Sequence, residues 1–227
     1  MMRTLFRSRP AEVTAMAAVA ASQAGFAVMH LTQYEAVDAV AVPVSAYALT
    51  WPGIVLFPAS VLSLALACAI LAGRGIGLAR EGLARFLLGA TAVMLVAAAV
   101  FRTGTPETGL TPGAQIHRYS AGAAFVLLTV VAGLCAARMK EAKAPDWVRR
   151  GTWGATWLAA LMFVTTALNT FLPDLAGGGD WRGIPQRVLL VALSALVWIL
   201  VANSSRATIR VPAAAPEVVP ALAGARS

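Results

Sequence analysis

Six apolar runs, each close to the length a helix needs to cross a bilayer, alternate with short segments that carry most of the charge. They fall at 13–32, 49–72, 86–101, 117–137, 153–172 and 187–203. About 20 residues rising 1.5 Å each span roughly 30 Å of hydrocarbon. Inside that layer no water can pair a backbone N–H or C=O, so each run must satisfy its own backbone as a helix. The chain therefore reads as an all-α, polytopic membrane protein, a bundle of six transmembrane helices. Three parts are expected: a cytoplasmic segment over 1–12, a membrane domain over 13–206, and a tail over 207–227 that is rich in Ala and Pro and expected to be disordered. The basic start followed by an apolar run has the outline of a signal peptide, but it reads as a retained first helix.

Composition agrees. Of 227 residues, 59% are apolar and 12% charged, against about 25% charged in soluble domains. The net charge of +8 does not indicate nucleic acid, because the basic residues are spread between apolar runs rather than gathered on one face. Membrane lipids are the expected partners, and nothing in the chain specifies a protein partner. Cys68 and Cys135 lie inside apolar runs and read as small fillers rather than a disulfide or redox pair.

The basic residues also orient the bundle. Of the 18, all but Arg102, Arg118, Arg182 and Arg187 fall at one end, so both termini are expected to be cytoplasmic, in a multi-pass protein of the plasma (inner) membrane. The acids are divided evenly between the two ends. Pro58 is expected to kink the second helix. Small residues at 121–124, with Gly154 and Ala155, are expected to let helices approach closely. Gln23, Asn169, Thr165 and Thr166 are expected to bond neighbouring helices, and Trp51, Trp181 and Trp198 to sit at the membrane interface.

The longest polar interruption among the outer segments, RTGTPETGLTPGAQIHRYSAG at 102–122, holds His117, one of two histidines. It reads as an outer loop leading into the fourth helix, joined at one rim by 33–48 and by the segment containing Asp174, Asp180, Trp181 and Arg182. His117 and Arg118 would open the fourth helix, Gln186 and Arg187 the sixth, while Arg102 would close the third. Polar groups partly immersed in hydrocarbon are costly unless they are paired or used.

Several chemistries can be weighed on these residues. His30 and His117, at similar depth, could be axial ligands of a b-type haem. His30, His117 and Asp38 could make three zinc ligands, but no HExxH spacing exists, so no metal is assigned. Ser45, His117 and Asp38 could form a triad in a membrane-embedded lipid hydrolase with His117 as base, but VPVSAYA around Ser45 is no GxSxG elbow. An anionic lipid headgroup or small anionic ligand held by Arg118, Arg182 and Arg187 beside His117 needs the fewest coincidences. The candidate ligand-binding set is His117, Arg118, Gln186, Arg187, Arg102 and Tyr47. No motif specifies a cofactor or a reaction.

PVSAYALTWPG after the first helix, an FxT-type ending of the third, GAQIHRYSAG, and GIPQRVLL opening the last together resemble the bacterial membrane family called domain of unknown function 998. The resemblance covers about 12–205. It implies six helices and a chain of this length, and directs attention to Ser45, Tyr47, His117, Gln186 and Arg187. Two positions depart from the family pattern. Ala46 stands where an aspartate often follows the serine, and Phe101-Arg102-Thr103-Gly104 stands where Phe-Pro-x-Asp is common. If those acids serve catalysis or metal binding in the family, this chain has lost that role. The family name itself implies no activity.

Overall fold

The computed structural model describes residues 9–78, 81–105, 110–141, 144–175 and 180–209. Six long α-helices carry the chain: α1 (Arg9–Thr32), α2 (Gly53–Arg74), α3 (Gly82–Val100), α4 (Pro112–Arg138), α5 (Asp146–Phe171) and α6 (Gly183–Ile209). A short 3-10 helix, Val44–Leu49, lies between α1 and α2. All six are long and apolar enough to cross a membrane, and the described residues contain no strand. The protein is a multi-pass, all-helical membrane protein.

Each helix packs on its neighbour in sequence, and α6 returns to touch α1, α2 and α4 as well as α5. α2 and α6 are the most enclosed helices and α5 the least. Consecutive helices run antiparallel. One end of the bundle therefore gathers the chain's termini with the α2–α3 and α4–α5 connections; the other gathers the connections α1–α2, α3–α4 and α5–α6. The segments 1–8 and 210–227, with Arg80, Glu107 and Lys143, lie outside the described residues.

At the terminal end, Glu81 accepts the backbone N–H groups of Ile76 (2.8 Å) and Gly77 (2.9 Å). Gly75 and Gly77 there have φ of +88° and +73°, which only glycine adopts without strain. Arg85 donates to the carbonyls of Ala72 (2.7 Å) and Gly73 (2.8 Å), capping the last turn of α2. Arg74 pairs with Glu12 of α1 at 3.3 Å.

Several helices begin earlier than hydropathy indicates. α4 starts five residues before His117, where Thr111 accepts the N–H of Ala114 (3.2 Å) and Pro112 occupies the first turn. That is a standard start signal, a hydroxyl cap followed by a proline whose missing N–H costs nothing. The segment 112–116, expected as loop, is therefore helical, and His117 lies inside the helix rather than at its mouth. α5 likewise takes in Asp146 to Arg150, and α6 takes in Gly183 to Arg187. Helix α2 runs through Pro58.

Two of the small residues act differently from expectation, while Ala124 and Ala155 pack in or against the core. Side-chain atoms added at Gly122 or Gly154 would meet nothing within 4 Å, so neither glycine marks a close crossing. The close approach is at Gly25, whose missing Cβ leaves room for Ser60 of α2. Gly133 of α4 faces Thr156 of α5 at 3.6 Å. Gln23 accepts a hydrogen bond from Trp198 (2.9 Å), tying α1 to α6. This moves Trp198 from the interface to mid-helix. Thr165, Thr166 and Asn169 instead donate to carbonyls of their own helix. Cys68 and Cys135 are buried free thiols.

Candidate functional site

The residues expected to cluster at the loop-bearing end divide into two groups. The first surrounds Arg187, in the first turn of α6. Its Nε–H donates to His30 Nε2 (3.0 Å), one Nη to the carbonyls of Val42 (2.8 Å) and Gly183 (3.1 Å), and the other to the Tyr47 hydroxyl (3.1 Å). The guanidinium also lies 5.5 Å from the centre of the Tyr47 ring. His30 Nδ1 faces the Phe26 carbonyl at 2.9 Å. A carbonyl only accepts, so the hydrogen is on Nδ1 and Nε2 offers its lone pair to Arg187. Tyr47 is 1% exposed.

The same turn of α6 holds more of the first connection. Val44 N–H donates to Gln186 Oε1 (2.7 Å), Gly183 N–H to Val40 O (2.8 Å), and Arg182 Nε to Ala41 O (3.3 Å). A Cβ at Gly183 would stand 2.5 Å from Ala39 O and 2.6 Å from Val42 O. GIPQR is therefore a clamp for segment 40–47, and Arg187 and Tyr47 serve the protein's own backbone. Asp38 belongs to the same connection but is exposed, accepting from the N–H groups of Val40 (2.8 Å) and Ala41 (3.3 Å).

The second group lines a cavity of about 710 Å³ between α4, α5, the start of α6 and the clamped segment. It lies within the roughly 300–1,000 Å³ of single-ligand pockets. Helix α4 supplies Tyr119, Ala123 and the stripe Ala114, His117, Arg118, Ala121, Gly122 and Phe125. The stripe's spacings of three and four residues fall on one face. Helix α5 answers with Phe163, Thr166, Ala167, Thr170 and Phe171 at the same spacing. Close contact at Gly133 and open space at Gly122 show that α4 and α5 part towards this end. A smaller void of about 40 Å³ adjoins it, sharing Ser45, His117, Ala121, Phe125 and Gln186 with it and reaching Phe57 and Leu95.

The cavity has a polar mouth and an apolar depth. Ser45, Arg118, Arg182 and Gln186 line its upper part; Phe163 lies two turns below Phe171, about 12 Å along the helix. The Arg118 guanidinium carbon lies 5.9 Å from the centre of the Phe171 ring. Among the described residues no carboxylate lies within 4 Å of Arg118, and its N–H groups have no hydrogen-bond acceptor. His117 is 5% exposed. Its Nδ1 meets the carbonyls of Ala98 (2.7 Å) and Phe101 (3.0 Å), closing the last turn of α3. Nδ1 therefore carries the hydrogen. In the neutral ring Nε2 is an acceptor, and no described group bonds to it.

The cavity thus joins His117, Arg118, Ser45, Gln186 and Arg182, and leaves out Arg102, Tyr47, Arg187 and Asp38. A triad loses its orienting acid, because Asp38 is occupied in its own loop and the His117 Nδ1 is turned to carbonyls. Paired haem ligation by His30 and His117 loses an axial nitrogen, because Arg187 covers His30 Nε2. Among the described residues no three of His, Cys, Asp and Glu converge as a metal site. The α5 face was missed in the sequence, although Phe163, Thr166, Ala167 and Thr170 carry its helical spacing.

A family model described as Protein of unknown function (DUF998) matches residues 16–203. No curated protein and no solved structure matches the chain.

Proposed function

The chain belongs to the family described as Protein of unknown function (DUF998), and we propose that it is a membrane-embedded binding protein for an anionic amphiphile. The headgroup of a lipid sits at Arg118 and Arg182, and its apolar part descends between α4 and α5. The observation that carries this reading is Arg118, a partly buried cation with an aromatic face beside it and, among the described residues, no acceptor for its N–H groups. Such a group in a membrane protein is costly unless something fills its hydrogen-bond positions. A phosphate or carboxylate does so with charge-assisted, often bidentate bonds. We further place this end of the bundle on the outer side of the plasma membrane, following the excess of basic residues at the opposite end.

Native mass spectrometry from mixed micelles tests the proposal. Wild-type protein is expected to retain an anionic phospholipid over a zwitterionic one, and an Arg118→Gln, Arg182→Gln variant to lose that preference by about tenfold. Equal retention by both proteins would overturn it.

A further inference from the structure

Resting on that reading, we infer that the bound lipid carries a hydroxyl as well as its negative charge, and that the hydroxyl donates to Nε2 of His117. The polar groups of the cavity differ in what they ask of a ligand. Arg118 and Arg182 present donors only. Gln186 has given its oxygen to Val44 N–H, which leaves its amide hydrogens to offer. His117 is the opposite. The carbonyls of Ala98 and Phe101 hold its hydrogen on Nδ1, so the nitrogen left over offers a lone pair.

An anionic oxygen placed against that lone pair would be repelled, while a hydroxyl would complete it. The charged oxygen therefore belongs with the arginines and the donor with the imidazole. Because His117 and Arg118 are adjacent on one helix face and line the same cavity, both can be met by one headgroup. A phosphodiester bearing a polyol has this chemistry; a phosphodiester bearing a plain alkyl group does not. The wider consequence is selectivity among lipids of equal charge, which arginines alone cannot supply.

Competition between phosphatidylglycerol and phosphatidylethanol, both monoanionic, tests this in native mass spectrometry with phosphatidylcholine as reference. Wild-type protein is expected to prefer phosphatidylglycerol over phosphatidylethanol roughly three- to tenfold, the worth of one hydrogen bond, and to retain both over phosphatidylcholine. In His117→Asn the amide N–H replaces Nδ1–H towards the carbonyls and Nε2 is gone. That variant is expected to keep both anionic lipids and bind them equally. Wild-type protein that binds the two anionic lipids equally, yet both above phosphatidylcholine, would overturn the hydroxyl contact and leave the headgroup site standing. A preference that survives in His117→Asn would overturn the role of His117. No anionic preference in wild-type protein would overturn the binding site itself, and this inference with it. Should His117→Asn fail to fold, the wild-type comparison still decides whether the hydroxyl is recognised.

Discussion

Arg187 shows how a residue that its charge singles out can have partners the sequence does not reveal. A guanidinium at the start of a membrane helix must be paired, and that much is legible in GIPQR. Its partners are not, since His30, Val42 and Tyr47 are more than 130 positions away in the chain and meet it only when the first connection folds onto α6. The planar fork makes these bonds in different directions at once, which a single ammonium cannot reproduce. Arg187→Lys is therefore expected to destabilise the protein by about 2 kcal/mol, although the charge is kept. Thermal unfolding in detergent would show this as a clear fall in Tm. An unchanged Tm would mean that charge alone suffices and that the clamp is not a hydrogen-bonding device. Ser45, His117, Arg118 and Gln186 line one cavity, and helix mouths at one rim bring such residues together whatever the details. Arg102 and Asp38 were included on the same ground and do not reach the cavity.

At the scale of the elements, the number of helices was legible because the hydrocarbon layer imposes a length on each of them. Their starts were less so. The Thr111–Pro112 signal opening α4 is written in the sequence, but a reading by hydropathy places the helix where the polar residues end. The division of labour between α4 and α5 was not legible either. Ala121 and Gly122 resemble a tight-packing motif, and whether small residues admit a neighbour or leave a hollow depends on the crossing of two helices. Here Gly122 faces open space. Gly122→Leu should thus fold as well as wild type or better, since glycine in a helix costs about 1 kcal/mol relative to good helix formers. Equal or higher Tm for this variant is the expected result. A fall of several degrees would mean that a neighbour packs against Gly122 and that the hollow is closed.

For the whole molecule, the clamp and the cavity are connected. Residues 42–49 form part of the cavity wall, and α6 holds them there through Gln186 and Arg187. The site therefore draws on the 42–49 segment, α4, α5 and α6, although only α4 and α5 enclose its depth. Orientation is a separate question, decided by charge at the two ends. With Cys68 and Cys135 buried, cysteines introduced at the exposed Asp174 and Lys140 can be labelled selectively. A membrane-impermeant maleimide is expected to label Asp174→Cys in intact cells and Lys140→Cys only after lysis; the reverse pattern would invert the bundle. The most direct test of the cavity uses Gly122→Leu again, now read for lipid rather than stability. Native mass spectrometry is expected to show anionic lipid retained on wild-type protein and reduced about tenfold on the folded variant, whose leucine fills the space between α4 and α5. Lipid held equally by both would contradict the cavity as its binding place.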